Sequence, residues 1–432
     1  MNSNGIGSCR FLVALFICLS LTFQATAGFA GFKVKVAEAP ASDLALTLQA
    51  IRSANHSLLL NAYQMSSTEI ENALMDRIRA GIHVEIIKEG QPVGGESQEE
   101  RVIQSQLIQA MKSASGQDHF YEMTAKKVSQ RRFHFDHAKY AVIDNETLLI
   151  GSENYSPTGN PGSGDRGNRG WEVLVFEPHI AVQFSDVFKN DSDASYGDII
   201  DWVADDLGLN KKERPEIFTR YLEENLFAGT GVNGNYGITR TVLPHESISS
   251  PVLLEATEVS KITAPDESLS GLENLIANAK SSLDLELMTF DSHWGGPSQE
   301  SPLFDAVLKA ARRGVKVRIL LNDESVFSHG KRSSRSKNRP TVERLSQLAS
   351  QERLDIQAAI ADTKAMNVTY IHNKGMLIDD DQTLISSINW NENAVEKNRE
   401  AAVVLRSSQI NSHYKSLFES DWNSSARGAR VP

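Results

Sequence analysis

The sequence predicts an α/β protein made of two duplicated, layered domains, and three observations carry that reading. His137-Ala138-Lys139 is followed after four residues by Asp144, and His372-Asn373-Lys374 is followed at the same spacing by Asp379. After each Asp, six residues lead to a small polar cluster, Gly151-Ser152-Glu153-Asn154 in one copy and Ser386-Ser387-Ile388-Asn389 in the other. Upstream, Ala39-Pro40 recurs as Ala264-Pro265, and Ala54 with Ser57 recurs as Ala279 with Ser282, at one offset of 225. Two copies of one long, gapped pattern indicate duplication.

Taken in order, the chain opens on a targeting segment. Arg10 precedes the apolar run Phe11 to Phe23, and Ala25-Thr26-Ala27 offers small residues for cleavage, so residues 1–27 are expected to be a signal peptide. The apolar run is too short for a comfortable membrane span. Both cysteines, Cys9 and Cys18, fall inside it, so the mature chain is expected to hold no disulfide and no cysteine metal site. Residues 28–190 form the first expected domain, with strand, helix, strand and helix leading to a strand at His83 to Lys88. An insert around Trp294-Gly295-Gly296-Pro297 lengthens the second copy, and the offset of 233 then carries Ala80-Gly81-Ile82 onto Arg313-Gly314-Val315. The matching strand is Lys316 to Leu321 in the second domain, residues 251–432. Helices alternating with strands argue for layers of helices on a sheet. Residues 191–250 lie between, with acidic helix-like stretches (Asp198 to Leu207, Glu213 to Leu226) and a Gly and Asn loop, and read as a helical linker.

Each motif is expected to sit on a strand. His and Lys two apart on an extended chain point to one face. Tyr140-Ala141-Val142-Ile143 and Gly375-Met376-Leu377-Ile378 read as the buried continuation, which leaves Asp144 and Asp379 at the far ends. The run Asp379-Asp380-Asp381 reads as a turn rather than a metal cluster. The basic run Lys331-Arg332 to Lys337 and Arg339 reads either as a solvated loop or as a rim that draws an anionic lipid surface or nucleic acid to the site.

These residues carry a resemblance. The doubled motif resembles the signature of the phospholipase D superfamily, in which two such motifs meet in one phosphodiester-cleaving site. The resemblance covers nearly the whole mature chain and includes Asn398-Arg399-Glu400 after the second motif and, less closely, Asn168-Arg169-Gly170-Trp171-Glu172 after the first. A longer Gly-rich insert, Pro157 to Gly170, marks the first copy. The resemblance implies two α/β/α sandwich domains with mixed sheets, related by approximate twofold symmetry, with the site at their seam. It also implies that His137 is the nucleophile and His372 the acid and base, although the residues alone do not separate these roles.

The chemistry fits the residue types. Cleaving an anionic phosphodiester without a metal requires a nucleophile, an acid for the leaving oxygen and fixed cations for the phosphoryl oxygens. One neutral imidazole can attack phosphorus while the other protonates the leaving alkoxide. Lys139, Lys374, Asn154 and Asn389 are expected to hold the phosphoryl oxygens, with Ser152 and Ser387 beside them on the substrate. Asp144 and Asp379 are expected to tie the turns, and Glu172 and Glu400 to orient the imidazoles. No metal and no cofactor is expected.

At 432 residues and 40% hydrophobic content the chain is long enough for two cores. Its net charge of −11 argues against a generally basic nucleic-acid binder, though a local basic cleft would be enough for one. The sequence therefore reads as a secreted or periplasmic phospholipase D acting as a monomer on glycerophospholipid head groups. The alternatives are an exported nuclease of the same superfamily, a cardiolipin-synthase-like transferase and, last, a binding pseudoenzyme.

Overall fold

The computed structural model describes residues 1, 31–114, 117–124, 131–204, 250–296, 298–327 and 337–428, with side chains placed to 425. The signal segment, most of the linker and Lys331, Arg332 and Arg335 of the basic run lie outside the described residues. Lys337 lies inside them and pairs with Asp291 at 2.6 Å. Arg339 lies 3.9 Å from Asp323.

The first half runs β1 (Phe32–Ala39), α1 (Asp43–Ser53), β2 (Ser57–Ala62), α2 (Thr68–Arg79), β3 (His83–Glu89), α3 (Gln98–Ser113), β4 (His119–Met123), β5 (Tyr140–Ile143), β6 (Thr147–Gly151), β7 (Gly170–Val175) and α4 (Pro178–Asp191). After a 3-10 turn come β8 (Ile199–Asp201) and, beyond the undescribed linker, β9 (Val252–Ala256). The second half runs β10 (Glu258–Ala264), α5 (Ser268–Asn278), β11 (Ser282–Leu287), α6 (Pro302–Arg312), β12 (Lys316–Leu321), α7 (Asn338–Glu352), β13 (Ile356–Ile360), β14 (Lys374–Ile378), β15 (Gln382–Ser386), α8 (Glu392–Glu396), β16 (Glu400–Arg406) and α9 (Ser408–Gly428).

The two sheets have one topology. The first is ordered β8-β4-β3-β2-β5-β6-β7-β1-β9 and the second β10-β16-β15-β14-β11-β12-β13. Read from opposite ends, the seven strands of the second match the inner seven of the first. Both are mixed, with β2, β3 and β4 parallel and β5, β6, β7 and β1 antiparallel. The first sheet gains an edge strand on each side. One comes from the segment read as linker (β8) and the other from the start of the second half (β9).

Among the described residues three large cores follow from the strand patterns, besides a small cluster of Met123, Phe133 and Ile199. One lies between the first sheet and α1 to α3, and includes Leu46, Leu74 and Leu107. A second lies between the second sheet and α5 to α7, and includes Ile276, Phe304 and Leu345. The third joins the sheets themselves, with Val173, Phe184, Leu377, Val403 and Phe418 in one cluster. Fully buried strands read as continuous apolar runs when both faces are covered, and all four residues of β5 are buried. The sheets approach so closely at the seam that a Cβ on Gly375 would lie 2.4 Å from the Trp171 indole.

Candidate active site

The backbone of the seam is built by cross-half pairing. His134 and His137 donate their amides to the carbonyls of Lys397 and Arg399, both at 2.8 Å, and Arg399 returns its own amide to Phe135 at 2.8 Å. The other copy repeats this pattern: Thr369 donates to Gly167 (2.7 Å), Arg169 to Tyr370 (2.9 Å) and His372 to Arg169 (2.9 Å). These pairings correct the expectation that His and Lys sit within one strand. β5 starts at Tyr140 and β14 at Lys374, so each His lies on the extended segment before its strand, where it pairs with the opposite half.

Two buried ion pairs lock the seam, and neither was evident from the motifs. Arg399 lies 2.8 Å from Asp191 at the end of α4, and Arg169 lies 2.7 Å from Asp421 in α9. Each arginine also donates to the carbonyl before a repeated proline, Ala264 or Ala39, at 2.8 Å. The offset of 230 that relates Arg169 to Arg399 also relates Asp191 to Asp421, and this was the sequence signal for the second pair.

The His137 Nδ1 lies 2.8 Å from Glu400 Oε2, which leaves Nε2 as the free ring nitrogen. Glu400 also accepts from the Ser387 hydroxyl (2.6 Å) and from Asn398 Nδ2 (2.9 Å). The other imidazole has a different partner from the one expected. His372 Nδ1 lies 3.2 Å from Glu153 Oε2, and Asn168 Nδ2 donates to that same oxygen at 2.9 Å. Glu172, expected to orient an imidazole, instead accepts from the Thr47 hydroxyl at 3.0 Å and is pushed well up by burial and by Asp43. The reason is register. Ala39 faces Gly170 and Ala264 faces Glu400, so Gly170 is the strand equivalent of Glu400 and Glu172 stands two residues farther along β7.

Lys139 and Lys374 are buried, and each donates its ammonium to the carbonyl of its own motif His, Lys139 at 2.6 Å. Burial lowers Lys139 to about 8. Burial and the Lys139 charge lower Lys374 to about 7. Burial and then Lys139 hold His137 well below the usual imidazole value, while burial and Lys374 bring His372 to about 4 against the pull of Glu153. Burial raises Glu400 to about 8, with Lys139 opposing it. Burial thus disfavours the protonated form of both imidazoles, and an arriving anion would stabilise every protonated group around it.

Asn154 and Asn389 are half-buried, and Asn154 Nδ2 donates to Gln64 at 2.9 Å. Ser152 and Ser387, expected beside the substrate, are fully buried, and their hydroxyls accept the amides of Trp171 (3.2 Å) and Ala401 (3.0 Å). Asp144 and Asp379 stand at the far ends of β5 and β14. Asp144 accepts the amides of Asn55, His56 and Ser57. Asp379 accepts those of Lys280, Ser281 and Ser282. Asp380 pairs with Lys415 and Asp381 with Arg406, so the acidic run is divided among separate partners. Tyr63, absent from the sequence reading, packs edge-on to the His137 ring at 4.6 Å, and Lys374 Nζ lies 3.8 Å from Met288 Sδ at the matching position.

The family model described as "Cardiolipin synthase, PLD-like domain" matches residues 47–192 and 272–422, once per half. Among solved structures, phosphatidylserine synthase from Haemophilus influenzae Rd KW20 is 14% identical, with a TM-score of 0.61 over 90% of this chain and 85% of that one. Nuc, a phospholipase D family member from Salmonella typhimurium, is 20% identical, with a TM-score of 0.32 over 39% of this chain and 96% of its own. No curated protein sequence matches. With one matching domain in each half and both motifs meeting across the seam, the chain belongs to the phospholipase D superfamily, whose enzymes act on phosphodiesters.

Proposed function

We propose that this protein is a phospholipase D-type hydrolase that removes head groups from glycerophospholipids through a phosphohistidine intermediate. The observation that carries this reading is the pair of imidazoles from opposite halves, each with Nδ1 against a buried carboxyl group, together with two buried lysines whose charges act on both rings. Nε2 of His137 attacks phosphorus as the bond to the head-group oxygen breaks, and His372 gives that oxygen its proton. His372 then takes a proton from water, whose oxygen attacks phosphorus and releases His137 and phosphatidic acid. Lys139, Lys374, Asn154 and Asn389 hold the phosphoryl oxygens throughout. Support for a lipid comes from an aromatic row beside the site. Tyr370 packs edge-on to His372 at 5.7 Å and to Phe327 at 5.0 Å, and Phe327 is 46% exposed, which suits the apolar part of a lipid. The proposed place of action is outside the cytoplasm, as a monomer.

A second reading is transfer of the phosphatidyl group to an alcohol, favoured by the description of the matching family. It differs only in which hydroxyl His372 activates in the second step.

The deciding assay offers the purified protein phosphatidylcholine and phosphatidylglycerol vesicles and single- and double-stranded DNA, with EDTA, with and without glycerol. Head-group release in EDTA with intact DNA is the expected result, and a product dominated by the glycerol ester would establish transfer. DNA cleavage without lipid turnover would overturn the lipid reading. Inhibition by EDTA that added divalent ion reverses would overturn the two-lysine mechanism.

A further inference from the structure

The two halves share the His, Lys, Asn and Arg residues of the seam, which makes one exchange between them informative. Where the second half has Ile388 in its polar cluster and Glu400 at the head of β16, the first has Glu153 in its cluster and Gly170 at the head of β7. We propose that Glu153 is the positioning carboxylate of His372, doing from the polar cluster what Glu400 does for His137 from the strand. The inference rests on the phosphohistidine reading only for which step His372 serves.

Three observations support it. A Cβ on Gly170 would lie 2.2 Å from Glu153 Oε1, 2.5 Å from Ser152 Oγ and 2.7 Å from Glu153 Cγ, so the Glu153 side chain fills the space that a residue at 170 would take. The equivalent asparagines serve the two carboxylates alike: Asn398 donates to Glu400 and Asn168 to Glu153, both at 2.9 Å. Finally, Glu153 Oε1 and His372 Nδ1 are buried without a hydrogen bond among the described residues, although Nδ1 stands only 3.2 Å from the other carboxylate oxygen. Catalytic contacts of this kind tighten as substrate binds. Glu153 is a positioning residue. It fixes the ring so that Nε2 faces the phosphorus, and it favours the protonated imidazole that the leaving oxygen needs.

Four full-length variants test this: Glu153→Gln, Glu153→Ile, Gly170→Glu, and Glu153→Ile combined with Gly170→Glu, which rebuilds in the first half the arrangement of the second. Glu153→Gln and Glu153→Ile are expected to lower kcat about 10- to 100-fold with KM little changed, the usual effect of losing such an outer partner. Gly170→Glu alone is expected to lower activity, because two side chains then compete for one space. The double variant is expected to recover about tenfold or more over Glu153→Ile, with Ser152 turning to the new carboxylate as Ser387 turns to Glu400. Recovery by a relocated carboxylate cannot come from packing alone.

The pH profile gives a second readout. His372 must be protonated in the first step, so kcat falls as pH rises through its value in the bound state. Removing Glu153 should move that limb to lower pH by about one unit, while Glu172→Gln should leave it in place. Unchanged kcat in Glu153→Gln overturns the proposal. So does a thermally stable double variant no better than Glu153→Ile. Recovery without a shift of the limb would keep Glu153 as the positioning carboxylate and overturn only the role given to His372.

Discussion

The two halves hold their imidazoles with equivalent carboxylates supplied from different places in the chain. In the second half Glu400 leads β16 and reaches His137 at 2.8 Å. In the first, the strand position is Gly170, and Glu153, seventeen residues upstream by number, lies 3.2 Å from His372. Asn168 and Asn398 donate to these carboxylates alike, and Ser152 and Ser387 accept equivalent amides. What duplication has kept is therefore the position of a carboxylate in space. The residue number that supplies it was free to change, because two neighbouring backbone positions can deliver the same group to one ring.

The largest effect should separate the halves by role. His137→Asn and His372→Asn are each expected to lower turnover of phosphatidylcholine by about 10³-fold or more with melting temperature little changed, since acid/base and nucleophilic members act as a unit. A nitrophenyl leaving group, which departs without an acid, then breaks the apparent equivalence. His372→Asn should still release one nitrophenolate per enzyme in a burst, whereas His137→Asn should release none. Bursts in the opposite variants would exchange the two roles. A burst in both would end the single composite site.

Much of this was legible in the chain. The repeat with its changing offset gave two α/β halves, and the doubled His, Lys and Asn gave the members of the site. Three features escaped for physical reasons. Strand register decides which residue of β7 stands at the seam, and the eye follows the next glutamate, Glu172, rather than the aligned glycine, Gly170. Aligning Asn168-Arg169-Gly170 on Asn398-Arg399-Glu400 residue by residue would have exposed the gap, and Glu153 opposite Ile388 would have filled it. The edge strands β8 and β9 escaped because three- and five-residue segments carry almost no periodic signal. The cross-half pairing of the His segments depends on long-range contacts that no local pattern records.

The lysines sharpen the comparison at a second level. Lys374 is brought to about 7 and Lys139 to about 8, in each case chiefly by burial, and the carboxylates Glu400, Asp136 and Glu153 pull Lys139 back up. Burial thus disfavours the charged form of both lysines, and bound phosphate should raise both values and draw protons in. Titration calorimetry with inorganic phosphate in buffers of different ionisation heat should show uptake of about one proton at pH 8. Affinity should accordingly weaken as pH rises above 7, by up to about tenfold per unit. Lys374→Gln should remove more of the uptake than Lys139→Gln. Equal losses would mean that the halves differ less electrostatically than their carboxylates suggest, and no uptake would mean that both lysines are already charged.

The smallest effects should come where the halves agree best, at the far ends of β5 and β14. Asp144 and Asp379 both have positive φ, 55° and 51°, and both gather three backbone amides, with Asp379 adding the Ser281 hydroxyl at 2.8 Å. Asparagine tolerates that backbone, so Asp144→Asn and Asp379→Asn remove charge without strain. Each should cost about 1–2 kcal/mol by denaturant titration at pH 7, as charge-assisted hydrogen bonds become ordinary ones, with kcat unchanged. Amides lower both carboxyls below their usual range despite burial's opposing effect. The stabilisation is thus fully present above the unfolded value of about 3.9 and is lost as pH falls through the lower folded value. The difference between wild type and either variant should therefore shrink below pH 4. A fall in kcat larger than about twofold in Asp144→Asn or Asp379→Asn, at unchanged stability, would show that these carboxylates act on the site through their strands instead of tying the turns.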